Sequence, residues 1–323
     1  MLKTNILGMG MYVPEKVLTN EELSNMVDTS DQWITSRTGI KERRISEGES
    51  VVDLACKAAK AAINNSGIHP LDIDLILVST SSPKSFFPSA ACEVQNMLGA
   101  KNAVAFDILA ACSGFVYALS CAKAYINSGM YKTVLIIGAE VLSKVVDWKD
   151  RNTCVLFGDG ASAMIIGEGS KEEIIDVILG SDGSGASVLT CGNMDFSTPF
   201  TKELHRDFEK IKMNGKEVFK FAVTKVDKCI RELLDKNEET LDNIDYIVCH
   251  QANYRIIEAV AKRLSLSMDR FYVNLQAYGN TSSASIGIAL SEMREDGILK
   301  SGTKIIIVGF GSGLTWGGAL IEL

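Results

Sequence analysis

Three short stretches carry residue types that can do covalent chemistry together. They are FDILAACSGF (106–115) with Cys112, VCHQANYRI (248–256) with His250, and YGNTSSAS (278–285) with Asn280. A thiolate is a strong nucleophile and a good leaving group, an imidazole can exchange a proton or donate a hydrogen bond, and a carboxamide can donate to a developing oxyanion. After the cysteine, Phe115, Leu119, Ala122 and Ile126 recur at helical spacing. A helix therefore begins almost at the sulfur, and its positive end is expected to favour thiolate and lower the pKa. Gly114 permits close approach by another group. Yet a cysteine among alanines is more often core packing, and a lone histidine is usually structural. Cys, His and Asn also meet in papain-like proteases, whose Cys-Gly-Ser-Cys context is absent here.

What decides between these readings is how the chain positions the three residues. Ser50 and Asp53 form a capping-box pattern, and Val51, Leu54, Ala55, Ala58, Ala59, Ala62 and Ile63 follow at helical spacing until Gly67. A nearly continuous apolar run, 73–80, then reads as a strand covered on both faces. The step recurs: LDIDLILVSTSS (71–82) matches LDNIDYIVCHQA (241–252), and 106–140 matches 272–311 as strand, small-residue turn, helix, strand. The expected fold class is α/β, two copies of one strand-and-helix unit with mostly parallel central sheets, divided as 1–170 and 171–323. In this alignment Cys112 falls opposite Asn280 and Ser79 opposite His250, each at a strand end where open α/β sheets hold ligands.

Composition narrows the classes. The 323 residues are 46% hydrophobic and 23% charged with five prolines, a soluble globular profile. No apolar run reaches the roughly 18 residues of a membrane span, and no signal peptide opens the chain, so no membrane association and a cytoplasmic location are expected. The eight cysteines lack a CxxC pair and the three histidines (69, 205, 250) are dispersed, so no metal site is expected. A net charge of −7 argues against nucleic-acid binding.

Taken with the terminal GFGSGLTWGG, the three stretches resemble the ketoacyl-acyl-carrier-protein synthase III family, along the whole chain from TNILGMGMYVP to LTWGGALIEL. DQWITSRTGIKERR, FPSAACEVQNMLGA and DRNTCVLFGDGASA match as well. The glycine-rich end does not fit a dinucleotide fingerprint, because a strand rather than a helix follows it.

The resemblance implies a thiolase-like duplicated fold, layered α-β-α-β-α with two mixed central sheets. It also implies an acyltransferase: Cys112 takes the acyl group of an acyl-CoA, and malonyl-acyl-carrier protein then loses carbon dioxide and condenses with it. His250 and Asn280 would donate to the thioester oxygen during condensation, and N–H groups at Cys112 and near Gly311 would form an oxyanion hole beside Phe310. Trp33 and Arg151 would clamp the adenine of coenzyme A with Arg37 near its phosphates, while Gly215, Phe219, Ala252 and Asn253 line the pantetheine tunnel. Trp33 and Arg37 lie four apart on one helical face after Ser30 or Asp31, and by their types alone read as a core side chain and a solvated charge.

Lys220, Arg255, Lys262 and Arg263 would face an acidic carrier protein, although Glu258 interrupts the charge and an ordinary solvated face fits too. Phe87, Leu142, Leu189 and Phe196 are candidates for the acyl pocket or its rim, or simple core packing. A homodimer is implied, with Phe87 reaching across the interface; acyl-CoA is a substrate, and no permanently bound cofactor is expected. Lys216 replaces a common asparagine, while Ser283 and Ser312 replace commoner small residues and are expected to matter little. A thiolase-fold acyltransferase of specialised metabolism is the alternative.

Overall fold

The computed structural model describes residues 2–192, 199–200 and 208–323. The chain opens with β1 (Lys3–Tyr12), β2 (Val17–Thr19), α1 (Asn20–Ser24), α2 (Asp31–Thr38), β3 (Glu42–Arg44) and α3 (Val51–Ser66). Then come β4 (Leu75–Ser79), α4 (Ala90–Leu98), β5 (Val104–Ile108), α5 (Gly114–Asn127), β6 (Thr133–Glu140) and β7 (Gly160–Gly169). Next are β8 (Ile174–Ser181), β9 (Leu189–Thr190), β10 (Lys212–Met213), α6 (Gly215–Lys236) and β11 (Tyr246–Cys249). The chain closes with α7 (Tyr254–Leu264), α8 (Leu275–Tyr278), α9 (Ser285–Glu295), β12 (Lys304–Gly311) and β13 (Thr315–Glu322).

Local rules explain these boundaries. Ser50 and Asp53 satisfy each other's backbone at the start of α3, and Gly67 ends it at φ 69°, a left-handed conformation that suits glycine. The two larger sheets run β1-β7-β6-β4-β5 and β8-β13-β12-β11, the same order twice except for the extra β5. Helices α5 and α9 lie between them, α3 covers the first and α6 the second, giving the layered α-β-α-β-α arrangement. Phe115, Leu119, Ala122 and Ile126 are fully buried, as a helix packed on both sides requires.

The sheets are mixed rather than mostly parallel. Pairs β4–β5, β4–β6 and β11–β12 are parallel, whereas β1–β7, β6–β7, β12–β13 and β8–β13 are antiparallel. The reason is connectivity: β12 turns directly into β13 through residues 312–314, and a tight hairpin can only join antiparallel strands.

The duplication extends to single hydrogen bonds. Asp74 Oδ2 accepts from Thr133 N at 3.0 Å and Asp245 Oδ2 from Lys304 N at 2.7 Å, so each repeat pins the start of the neighbouring strand in the same way. The expected pairing of Ser79 with His250 holds, since each directly follows or ends the strand beside β6 or β12.

The pairing of Cys112 does not hold as expected. Turn Ala111–Ser113 precedes α5 as turn Ser282–Ala284 precedes α9, and Ala111 (φ 46°) and Ser282 (φ 49°) share the left-handed conformation rare for side chains other than glycine. Gly309 packs on Cys112 and Ser113 where Gly138 packs on Ser283. Cys112 therefore stands opposite Ser283, three residues beyond Asn280. The offset arises because α8 lengthens the approach to the second turn.

Candidate active site

Cys112 is buried in the turn that leads into α5. Glycine is required beside it: a Cβ on Gly311 would lie 2.7 Å from Cys112 N. Burial pushes the thiol up to about 12, and the nearby Glu140 carboxylate adds to this while a hydrogen bond from Ser282 opposes it. The expected lowering by the helix is thus overturned. A helix end supplies about 0.3–2 kcal/mol, against the several kcal/mol it costs to bury an ion without compensation.

His250 extends from the end of β11, with its N–H donating to Val308 O at 2.8 Å. Its Nδ1 lies 2.7 Å from Ser285 Oγ, and Gln251 N donates to the same oxygen at 3.3 Å. Ser285 can then donate its own proton to Nδ1, leaving the hydrogen on Nε2 as a donor. Burial pulls the imidazole down to about 3, so the ring is neutral at ordinary pH. The Phe310 ring meets it edge to face, with centroids 5.1 Å apart.

Asn280 is fixed at both backbone atoms: its N donates to Leu156 O at 2.8 Å and its O accepts from Gly158 N at 3.0 Å. Its Oδ1 accepts from Ser282 N at 2.8 Å. With the amide oxygen held, Nδ2 remains as the donor.

Cys112, His250, Asn280, Phe310 and Gly311 line one cavity of about 130 Å³. Gly215, Phe219, Ala252 and Asn253 line it too, and so does Leu189. Sequence reasoning missed much of its apolar wall, including Leu156, Phe157, Met213, Ile256 and Leu314. In a single sequence their apolar character does not distinguish a cavity wall from core. Leu142 is buried in the core cluster that contains Phe310 rather than on the lining, Phe87 is 85% exposed, and Phe196 lies outside the described residues.

Ser30 caps α2, and Trp33 is flanked by two guanidinium groups, Arg37 at 4.9 Å and Arg151 at 5.2 Å from its ring. Asn253 joins this cluster to the cavity by donating to Arg37 O at 3.2 Å. Lys220, Arg255, Lys262 and Arg263 are exposed on α6 and α7. Glu258 pairs with Lys262 and Asp227 with Arg263, so Lys220 and Arg255 are the charges of this group left without an acidic partner among the described residues.

Comparison with known proteins identifies the family. Residues 106–183 match the family described as 3-oxoacyl-[acyl-carrier-protein] synthase III, and residues 234–323 its C-terminal part. A beta-ketoacyl-[acyl-carrier-protein] synthase III of Clostridium acetobutylicum is 54% identical over 100% of this chain and 99% of its own. The crystal structure of 3-oxoacyl-[acyl-carrier-protein] synthase III from Aquifex aeolicus superposes with a TM-score of 0.93 at 45% identity, covering 99% of this chain and 100% of that one. The priming beta-ketosynthase of the R1128 polyketide pathway reaches a TM-score of 0.93 at 34% identity, covering 100% and 96%. With the thiolase-like fold, both family models and full-length identity above half in agreement, the chain belongs to the 3-oxoacyl-acyl-carrier-protein synthase III family.

Proposed function

We propose that this chain primes fatty-acid synthesis by condensing a short acyl-CoA with malonyl-acyl-carrier protein. The observation that carries the reading is the meeting of Cys112, His250 and Asn280 in one cavity whose two side-chain donors are each held by a neighbouring group. Cys112 Sγ attacks the primer thioester, the backbone N–H groups of Cys112 and Gly311 hold the oxyanion, and coenzyme A leaves. Malonyl-acyl-carrier protein then enters. Nε2–H of His250 and Nδ2–H of Asn280 donate to its thioester oxygen as carbon dioxide departs, and the enolate carbon attacks the acyl-Cys112 carbonyl. Both donors act on charge absent from the ground state, which is why they accelerate the step.

Trp33 and Arg151 hold the adenine in this reading, Arg37 lies near its phosphates, and Gly215, Phe219, Ala252 and Asn253 line the pantetheine path. Lys220 and Arg255 are the stronger candidates for attracting an acidic carrier, Lys262 and Arg263 being already paired. A homodimer is supported by β5, an edge strand in which Val104 is 48% exposed and directly after which Leu109 is 80% exposed. A cytoplasmic location suits eight unpaired thiols, one of them the nucleophile.

Supplying acetyl-CoA with either malonyl-acyl-carrier protein or malonyl-CoA tests the assignment. Ketoacyl product is expected with the carrier-bound acceptor; preference for malonyl-CoA, or for another acceptor, would move the chain to specialised metabolism.

A further inference from the structure

Two of the matched motifs, DQWITSRTGIKERR (31–44) and DRNTCVLFGDGASA (150–163), contain residues that the chemistry above leaves without a task. They meet at Arg43 in β3, whose side chain is fully buried. Arg43 Nη1 donates to Leu18 O at 3.0 Å, and Nη2 donates to Asn20 Oδ1 at 2.9 Å and to Val155 O at 2.8 Å. None of these acceptors is a carboxylate. Charged side chains are almost never fully buried unless paired, so this cation is held by three carbonyl dipoles instead. Burial lowers the guanidinium to about 10, which leaves it charged at neutral pH.

The side chain lies against the backbone bridge that holds Asn280. Leu156 O accepts from Asn280 N and Gly158 N donates to Asn280 O, so residues 156–158 make both backbone contacts of that residue. Arg43 anchors the start of this segment at Val155 O, and Arg44 O accepts from Asp159 N at 2.8 Å at its end. The stem of Arg43 meets both chains of the bridge: a Cβ on Gly158 or Gly279 would lie 3.1 or 3.2 Å from Arg43 Cβ. Asn20 completes the frame. Its Nδ2 donates to Asp31 Oδ1 at 2.9 Å and Ile40 O at 2.8 Å, which turns its amide oxygen toward Arg43.

We propose that Arg43 is a positioning residue for condensation: through Val155 and residues 156–158, its guanidinium sets where Asn280 Nδ2 stands in the cavity. The inference rests on the acyl-transfer reading. Arginine suits this task because its planar fork offers donors in fixed directions, which the single ammonium of a lysine cannot reproduce. Misplacing a group by about 1 Å can cost about 10²-fold in rate. Cys112 and Gly311 stand on the turn before α5 and on β12, so acylation does not depend on this frame.

Arg43→Lys keeps the charge and removes the fork. Single-turnover acylation of Cys112 at saturating acetyl-CoA should stay within about threefold of wild type, whereas decarboxylation of malonyl-acyl-carrier protein should fall about 10–100-fold. In an Asn280→Ala background the same substitution should cost less than about threefold more, because the residue it positions is gone. Amide hydrogen exchange should quicken in the peptide containing Asn280 and stay as in wild type in α3 and α5.

A merely structural role would slow both steps alike, cost as much without the Asn280 amide, and quicken exchange throughout; any of these results overturns the proposal. If Arg43→Lys does not fold, Asn20→Ala decides, since it removes one of the two acceptors at Nη2. Its loss of decarboxylation should exceed its loss of acylation at least about threefold, and an unchanged ratio overturns the proposal. Failure of any acyl-CoA to label wild-type Cys112 sinks the acyl-transfer reading instead, and exchange at Asn280 still judges the frame.

Discussion

The turn before α5 and the turn before α9 have one backbone design and different contents. In the first, Cys112 faces Gly311; in the second, Ser283 bonds to Glu140. His250 meets Ser285 where, in the other half, Ser79 packs on Gly114. Duplication thus supplies the position, and the side chains that differ supply the chemistry. The Gly311 side leaves room for an acyl group, whereas the Glu140 side is filled with hydroxyl groups.

Breaking that difference gives the largest predicted effect. Cys112→Ala should cost ketoacyl formation at least about 10⁴-fold, and adding Ser283→Cys should not restore it. Recovered acylation at residue 283, read by peptide mass, would show that position alone makes the nucleophile. Asn280→Ala should slow condensation about 10²–10³-fold while leaving single-turnover acylation within about threefold; equal losses in both steps would remove its assigned role.

Ser285→Gly gives α9 the residue that α5 has at Gly114. It should lower condensation about tenfold more than acylation, and an unchanged ratio would show that Ser285 does not orient the imidazole. The smallest effect concerns pH. An imidazole lowered to about 3 stays neutral down to that pH, so His250 should cause no loss of condensation as pH falls from about 8 to 5.5. A tenfold loss per unit below about 6.5 would mean that it titrates as an ordinary histidine.

Much of this was legible because local rules governed it. The Ser50–Asp53 cap, the buried stripe of α5 and the repeated Ile-Asp signal survive folding unchanged, and Cys112, His250 and Asn280 do line one cavity. What failed depended on distant partners. The register slipped because α8 has no counterpart before Cys112. The lowered thiol pKa failed because sequence shows the helix end but not the burial around it. Ser283, expected to matter little, is bonded to Glu140 143 residues away, a contact made only when the two halves close.

The central claim is that Cys112 carries the acyl group in this cavity. Mixing the protein with a panel of acyl-CoAs, then with malonyl-acyl-carrier protein, and measuring intact mass tests it directly. Wild type should gain one acyl mass on the Cys112 peptide and lose it as ketoacyl product appears, and Cys112→Ser should do neither. Labelling of another cysteine, or ketoacyl formation by Cys112→Ser at the wild-type rate, would contradict the account.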